Sequence, residues 1–335
     1  MSRFFSQKFS SLVPYTPGEQ PKDRKFIKLN TNESPYPPSP KTIAAAGIEA
    51  EKLNLYSDPE SKLLKQRLAE RYGVKYENVF TSNGSDEILQ FFFMAFCSEC
   101  DVAYPSISYG FYPVYADIFG VELEQIPLKD DFSIDVNDYI GKGKNIVIAN
   151  PNAPTGLALT FDEVEKIVSS NPDNLVIMDE AYMAFCGESC MSLVKKYPNL
   201  LVTRTFSKSH SLAGLRVGFG IAQKEIIEDL NKLKFSFNPY NLNTLSIKAA
   251  AAPIADNEYY DDKIAKIVET REVVKKQLSD LGFTCTDSKS NFIFAASNRI
   301  PASELAAELR KRNILVRYFN KAKIDNYLRI TVGSA

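Results

Sequence analysis

Three polar segments with chemically useful side chains each follow a short β-branched run of the sequence. Residues 150–156 come after the first run, residues 179–182 after the second, and residues 207–216 after the third. In an open parallel sheet, ligands bind outside the carboxyl ends of the strands. The pattern therefore predicts one crevice that receives an acid, a lysine and an arginine, namely Asp179, Lys208 and Arg216.

A fourth segment, residues 83–87, has the composition of an anion-binding helix start. It reads Asn-Gly-Ser-Asp-Glu and follows a predicted strand. The free backbone N–H groups at the start of a helix point toward an anion. The alternative is that Ser85 or Asp86 only caps the helix.

Charge and composition exclude several classes of protein. The chain has 40 basic and 41 acidic side chains, which leaves no basic excess for nucleic acid or for a membrane surface. Gly141 and Gly143 precede a predicted strand instead of following one, which argues against a dinucleotide site. The single histidine, His210, excludes any site that needs two imidazoles.

The five cysteines are an odd number, which favours a reducing compartment, and the cytoplasm is the expected location. Cys97 and Cys100, together with Cys186 and Cys190, could offer four thiolates to zinc. Neither pair is accompanied by knuckle glycines or flanking basic residues. Buried thiols are therefore the preferred interpretation, and no metal is expected.

The elements that must position these residues alternate between strand and helix, which predicts a mostly parallel sheet covered by helices. A long helix over 257–281, closed by Gly282, then leads into a compact α+β unit. The predicted strands are 78–82, 145–149, 175–178, 200–205, 217–221, 291–295, 314–318 and 327–332. The predicted helices, besides 257–281, are 86–96, 161–169 and 303–312.

With these motifs the sequence resembles the pyridoxal-phosphate-dependent aminotransferases of the aspartate-aminotransferase fold, and within them the histidinol-phosphate aminotransferases. Ser-Lys followed by Gly-Leu-Arg within residues 207–216 is specific for the fold. The segments 12–15, 29–36 and 328–333 extend the resemblance over nearly the whole chain, and the last two indicate the histidinol-phosphate branch.

The resemblance implies an α/β fold with two domains. It implies an N-terminal arm over 1–30, a large cofactor-binding domain over 31–255 and a small α+β domain over 256–335. The large domain would contain a mostly parallel seven-stranded sheet flanked by helices. The family usually continues past Gly333 with a further helix, which this sequence lacks.

The resemblance also implies roles around pyridoxal phosphate. Lys208 would bind the aldehyde of the cofactor and later move a proton at the substrate Cα. Asp179 would pair with the pyridine nitrogen, Tyr182 would donate to the phenolic oxygen, and Tyr109 would stack on the ring. The expected phosphate contacts are Gly84, Ser85, Asp86, Ser207 and Arg216.

Further contacts are implied at the edges of the site. Tyr56 would reach the phosphate from a neighbouring subunit, so that a homodimer shares its active sites. Arg329, Arg317 and Tyr15 would bind the anionic end of the substrate. The family usually has Asn immediately before Pro-Thr-Gly, where this chain has Ala153, and Asn152 is the expected replacement.

The function implied is transamination between histidinol phosphate and 2-oxoglutarate, with glutamate as the matching amino acid, in histidine biosynthesis. Two related activities stay open on the same cofactor site: an aromatic amino acid aminotransferase and a threonine-phosphate decarboxylase. A regulatory domain without turnover is disfavoured, because only about 30 residues precede the part of the chain that resembles the family. No nucleic-acid or membrane partner is expected.

Overall fold

Two β-sheets organise the chain in the computed structural model, which describes residues 2–22 and 24–335. Short 3-10 turns and one π-helical segment, Phe92–Phe96, join the regular elements. The strands are β1 (Ile27–Leu29), β2 (Val79–Ser82), β3 (Val102–Pro105), β4 (Leu123–Ile126), β5 (Asn145–Ala149), β6 (Val176–Asp179), β7 (Leu200–Thr205), β8 (Gly218–Ile221), β9 (Phe283–Cys285), β10 (Phe292–Ser297), β11 (Ile314–Tyr318) and β12 (Leu328–Thr331). The helices are α1 (Pro40–Glu49), α2 (Lys62–Tyr72), α3 (Gly84–Phe91), α4 (Tyr112–Phe119), α5 (Phe161–Ser169), α6 (Lys224–Phe237), α7 (Thr244–Ile254), α8 (Asn257–Asp280) and α9 (Ala302–Lys311).

The larger sheet has seven strands in the order β2-β8-β7-β6-β5-β3-β4. Only β8 runs antiparallel to its neighbours. The central strands are rich in apolar residues because both faces are covered: Ile146 and Ile148 of β5 enter one core cluster, and Val147 enters the cluster on the other face. The predicted mostly parallel sheet flanked by helices is confirmed.

The smaller sheet has five strands in the order β1-β11-β12-β10-β9. Strand β1 pairs in parallel with β11, and the other pairs are antiparallel. The end of the segment that the sequence assigns to an N-terminal arm therefore contributes an edge strand to the C-terminal sheet. This pairing carries residues 30–33 from the small sheet toward the larger one.

Several predicted elements match the structure residue for residue. The strands 145–149, 200–205 and 314–318 and the helix 161–169 have the predicted bounds, and α8 ends one residue earlier than predicted. The helix predicted over 86–96 is different. It begins at Gly84 and ends at Phe91, and the Phe-rich run after it is π-helical.

Two further observations concern membranes and metals. Across residues 2–22 and 24–335, no helix is both long enough and apolar enough to span a bilayer. In the same residues, no three His, Cys, Asp or Glu side chains form a group that could hold a metal ion. The five cysteines are free thiols, and Cys97 and Cys190 are buried.

Candidate active site

A cavity of about 460 Å³ lies at the carboxyl ends of β5, β6 and β7. These strands are neighbours in the sheet, so the residues that end or follow them converge, as the sequence predicts. Each strand contributes a terminal residue to the lining: Ala149, Asp179 and Thr205. Eight of the residues with a predicted role line this cavity, namely Ser85, Asp86, Tyr109, Asp179, Tyr182, Ser207, Lys208 and Arg216.

Lys208 reaches the cavity from the loop that follows β7. Its Nζ donates to the backbone oxygen of Thr31 at 3.2 Å. Burial, reinforced by the positive charge of Arg329, lowers the pKa of Lys208 to about 8. A lysine with such a pKa supplies an appreciable fraction of neutral amine near neutral pH, as a nucleophile must.

Asp179 ends β6 and is buried. Its Oδ2 accepts from Tyr112 Oη at 3.1 Å and its Oδ1 accepts from the Ala181 N–H at 3.2 Å. Burial raises the pKa of Asp179 to about 7. In the described residues no Lys or Arg forms an ion pair with this carboxylate, so a cationic ligand group would supply the charge that it lacks.

Tyr182 follows β6 and is held by Asn32, a residue for which no role was predicted from the sequence. Asn32 Nδ2 donates to Tyr182 Oη at 2.9 Å, and both residues are buried. Asn32 Oδ1 in turn accepts from Thr331 Oγ1 of β12 at 3.0 Å. The hydroxyl of Tyr182 is thus fixed by the segment that connects the two sheets. Lys208 Nζ lies 5.9 Å from the centroid of the Tyr182 ring.

The start of α3 faces Arg216. Gly84 has a φ of 71°, and a Cβ at this position would lie 2.6 Å from Arg216 Nη2, so that only glycine fits without a shift. Arg216 donates to Asp86 Oδ2 at 2.9 Å and to Ser207 Oγ at 3.3 Å. Its own φ of 54° is left-handed, a conformation that is uncommon for a non-glycine residue and recurs at ligand sites. Together these groups form a cradle suited to a phosphate.

Tyr109 separates this cavity from a second one of about 350 Å³, because its ring lines both. Its Oη donates to Asp86 Oδ1 at 3.0 Å, which fixes the ring at the boundary. The second cavity is lined by the three predicted substrate contacts, Tyr15, Arg317 and Arg329.

Arg329 presents an unused donor beside the second cavity. Its Nη2 donates to the Asn30 oxygen at 3.1 Å, whereas its buried Nε has no partner among the described residues. Arg317 is bonded differently, since its guanidinium donates to the backbone oxygens of Thr16 and Pro17 at 2.9 and 3.2 Å. Arg317 therefore also holds the N-terminal arm against the cavity.

Three predicted cofactor contacts lie outside the cavity lining: Asn152, Tyr56 and Gly84, which stands at the start of α3 against Arg216. Asn152 is buried, and its amide donates to the Ile107 oxygen at 2.9 Å and accepts from Ser108 Oγ at 2.8 Å. Ala153 lines the cavity instead. Tyr56 is 84% exposed and stacks on Tyr240, with 4.7 Å between the ring centroids.

Comparison with known proteins gives the same family over nearly the whole chain. The family model for aminotransferases of class I and II matches residues 24–335. A histidinol-phosphate aminotransferase of Brachyspira hyodysenteriae is 52% identical over 100% of this chain and 95% of the relative. One of Clostridium acetobutylicum is 48% identical over 100% of this chain and 96% of the relative.

A solved structure shows that the fold is shared. The histidinol-phosphate aminotransferase of Sinorhizobium meliloti, in complex with pyridoxal-5'-phosphate, superimposes with a TM-score of 0.89. The alignment covers 99% of this chain and 94% of that chain, at 23% sequence identity. At that identity the likeness concerns the fold alone.

Proposed function

Because the chain belongs to the class I and II aminotransferases, in the group of the histidinol-phosphate aminotransferases, we propose that it transfers an amino group between histidinol phosphate and 2-oxoglutarate in histidine biosynthesis. The cofactor of this family is pyridoxal phosphate. The observation that carries the substrate proposal is the unpartnered Nε of Arg329, buried beside a cavity that adjoins Lys208.

The residues present fit pyridoxal phosphate. Asp179 is a buried carboxylate that lacks a cation and suits a protonated pyridine nitrogen. The cradle formed by Gly84, Ser85 and Arg216 suits the phosphate, and Tyr182 Oη is held in place to donate to the phenolic oxygen. When bound, the cofactor supplies an electron sink that stabilises negative charge at the substrate Cα.

Lys208 carries out the proton transfer in this proposal. As a neutral amine, its Nζ would accept the proton that leaves the substrate Cα, and would then donate a proton to complete the transfer of the amino group. The lowered pKa of Lys208 suits a base that works near neutral pH. Thr31, whose backbone oxygen accepts from Nζ, orients the amine.

Arg329 and Arg317 would bind the far end of both substrates. Histidinol phosphate has a phosphate where glutamate has a carboxylate, so one pocket must accept two kinds of anion. A guanidinium fork pairs with either group. The amine would then lie at Lys208 and the anion in the second cavity, on opposite sides of Tyr109.

We also propose a homodimer with shared active sites. The exposed Tyr56 supports this, because its ring is 84% exposed beside Tyr240 and is available to reach a second copy. For the location, five free thiols in the described residues support a reducing compartment, and we propose the cytoplasm.

The test is a half-reaction screen on the purified holoenzyme. Histidinol phosphate, histidinol, glutamate and aromatic amino acids are added one at a time, and the absorbance of the bound cofactor is followed. We expect fast conversion with histidinol phosphate and with glutamate. If histidinol reacts as fast as its phosphate, the proposed substrate is wrong although the aminotransferase activity stands.

A further inference from the structure

Tyr112 is a buried phenol with a single side-chain hydrogen-bond partner among the described residues, Asp179. It begins α4, one turn after Tyr109, and is 0% exposed. Its Oη donates to Asp179 Oδ2 at 3.1 Å. Its ring packs edge-on against Tyr104 and Tyr109 at 6.2 and 5.6 Å between centroids. Because the ring is packed between these neighbours, its orientation is restricted, and so is the position of its hydroxyl.

Burial and the neighbouring carboxylates oppose the ionisation of Asp179, and two hydrogen bonds favour it. Burial is the largest effect and raises its pKa, and the carboxylates of Asp86 on α3 and of Glu180 on the following loop act in the same direction. The hydrogen bonds from Tyr112 and from the Ala181 N–H lower the pKa. Tyr112 is the only side chain that donates to this carboxylate in the described part of the chain.

We propose that Tyr112 is a positioning residue that holds the Asp179 carboxylate in one orientation and keeps it ionised, so that the proton it shares with the cofactor's ring nitrogen stays on the ring. With Oδ2 held by Tyr112 and Oδ1 by the Ala181 N–H, rotation of the carboxylate is blocked at both oxygens. A carboxylate that loses a donor in a buried site becomes more basic and takes the shared proton for itself. The ring then accepts electrons less well.

This inference rests on the pyridoxal-phosphate cofactor and does not depend on which substrate is used. It is tested with Tyr112→Phe, which removes one oxygen atom and leaves the ring. Loss of a hydrogen bond to a charged group should weaken cofactor binding by the apoenzyme roughly 10- to 150-fold. Turnover in both half-reactions should fall, with KM changed much less than kcat.

A pH titration of the absorbance of the holoenzyme distinguishes this role from a general structural defect, which would not shift the pH of the absorbance change. A positive charge on the ring disfavours a second positive charge on the nitrogen of Lys208 when that nitrogen is linked to the cofactor. If the ring loses its proton more readily in Tyr112→Phe, the absorbance change of the bound cofactor should occur at higher pH than in the wild type. An unchanged titration together with unchanged cofactor affinity would overturn the proposal.

Tyr104→Phe is the matched control. Tyr104 is buried in the same aromatic cluster, and this substitution also removes one hydroxyl, but it leaves the contact between Tyr112 and Asp179 intact. We expect the titration and the cofactor affinity of the control to equal those of the wild type. A shift of the same size in Tyr104→Phe would assign the effect to packing and contradict the role of Tyr112.

A double-mutant cycle shows whether the effect passes through Asp179. In an Asp179→Asn background, Tyr112→Phe should change cofactor affinity less than about twofold, because no carboxylate is left to hold. Equal losses in both backgrounds would contradict the proposal. If Tyr112→Phe does not fold, 4-aminophenylalanine at position 112 keeps the packing with a weaker donor. It should shift the titration in the same direction by less, and no shift would count against the proposal.

Discussion

Asn32 and Tyr182, which are 150 residues apart, share a buried hydrogen bond of 2.9 Å. We expect the Tyr182 hydroxyl to contact the cofactor. Asn32, which fixes this hydroxyl, lies in a segment that belongs to neither sheet. Asn32→Ala should therefore weaken cofactor binding by about 5- to 30-fold, the cost of about 1–2 kcal/mol for leaving a buried partner without its hydrogen bond. The affinity of the apoenzyme for pyridoxal phosphate measures this.

Two controls separate the contact with Tyr182 from general loosening of the segment. Asn30→Ala removes an amide on the same segment that donates to the Glu19 oxygen and not to Tyr182. Thr331→Val removes the other side-chain partner of Asn32. If either control weakens cofactor binding as much as Asn32→Ala does, the bond to Tyr182 is not the cause.

Lys208 should be the residue that borohydride links to the cofactor. Its Nζ lies in the cavity with a pKa lowered to about 8, so it is the nucleophile expected to react with the cofactor's aldehyde. Reduction followed by peptide mass mapping should place the adduct on Lys208, and Lys208→Ala should give none. An adduct on Lys234, a second lysine with a pKa lowered to about 8, would refute the assignment.

The lowered pKa of Lys208 also predicts how the stability of the apoenzyme depends on pH. Below pH 8 the Lys208 amine is protonated in both the folded and the unfolded state, so burial of its positive charge lowers the free energy of unfolding by the full amount. As the pH rises from about 8 toward 10.5, the unfolded chain binds more protons than the folded one, so the free energy of unfolding rises. Measured against Lys208→Met by denaturation, wild-type apoenzyme should gain stability across this window; a constant difference would contradict the pKa assignment.

Arg329 and Arg317 should differ in what their removal does. Loss of a charge-assisted partner of a buried anion costs about 2–5 kcal/mol, or roughly 30- to 4000-fold in kcat/KM. Arg329→Ala should show such losses with both histidinol phosphate and glutamate. Arg317→Ala should impair histidinol phosphate more than glutamate. If kcat/KM of Arg329→Ala equals that of the wild type with both substrates, the proposed anion site is wrong.

The contacts of Arg317 call for a second measurement. Because Arg317 also holds the arm at Thr16 and Pro17, its loss should make the arm more accessible to protease. Arg317→Lys keeps the charge without the fork and should protect the arm only in part. An arm that is cleaved no faster in Arg317→Ala would show that these two hydrogen bonds do not hold it.

Mixed dimers test the shared site. Lys208→Ala and Tyr56→Ala homodimers should each be impaired. Dimers with one chain of each kind should regain one complete site, in which the intact lysine of one chain meets the intact tyrosine of the other. With subunit exchange verified by mass, a mixture that stays inactive would place the action of Tyr56 within its own chain.

The sequence predicted most of the sheet that carries the site, and the reasons are local. Strands β5 and β7 contain apolar runs, over 146–149 and 200–202, and a polar segment follows each strand, so that they can be recognised without a partner. Strands β3 and β4 were missed, because β3 ends in Pro105 and β4 has Glu124 and Gln125 at its centre, a composition that is also typical of loops. The π-helical turn over Phe92–Phe96 interrupts a run whose composition is that of a continuing helix.

The contacts that complete the site could not be predicted from local sequence patterns. The bonds of Asn32 to Tyr182 and of Tyr112 to Asp179 join residues 150 and 67 positions apart. Neither Asn32 nor Tyr112 follows a predicted strand end. Asn32 lies in the segment 29–36 that carries the resemblance, but that motif does not show which side chain Asn32 contacts. By contrast, Asp179 and Lys208 stand directly after strand ends, where a parallel sheet directs its ligands.

The pairing of β1 with β11 sets an order for synthesis of the chain. Residues 27–29 are made well before their partners 314–316. Thr31 and Glu33, which line the cavity just after β1, thus cannot be fixed by the small sheet until residues 314–316 have been made. The large sheet can form first, with an open cavity whose wall is incomplete. Capture of the cofactor in its final geometry must consequently wait until β11 has been made and has paired with β1.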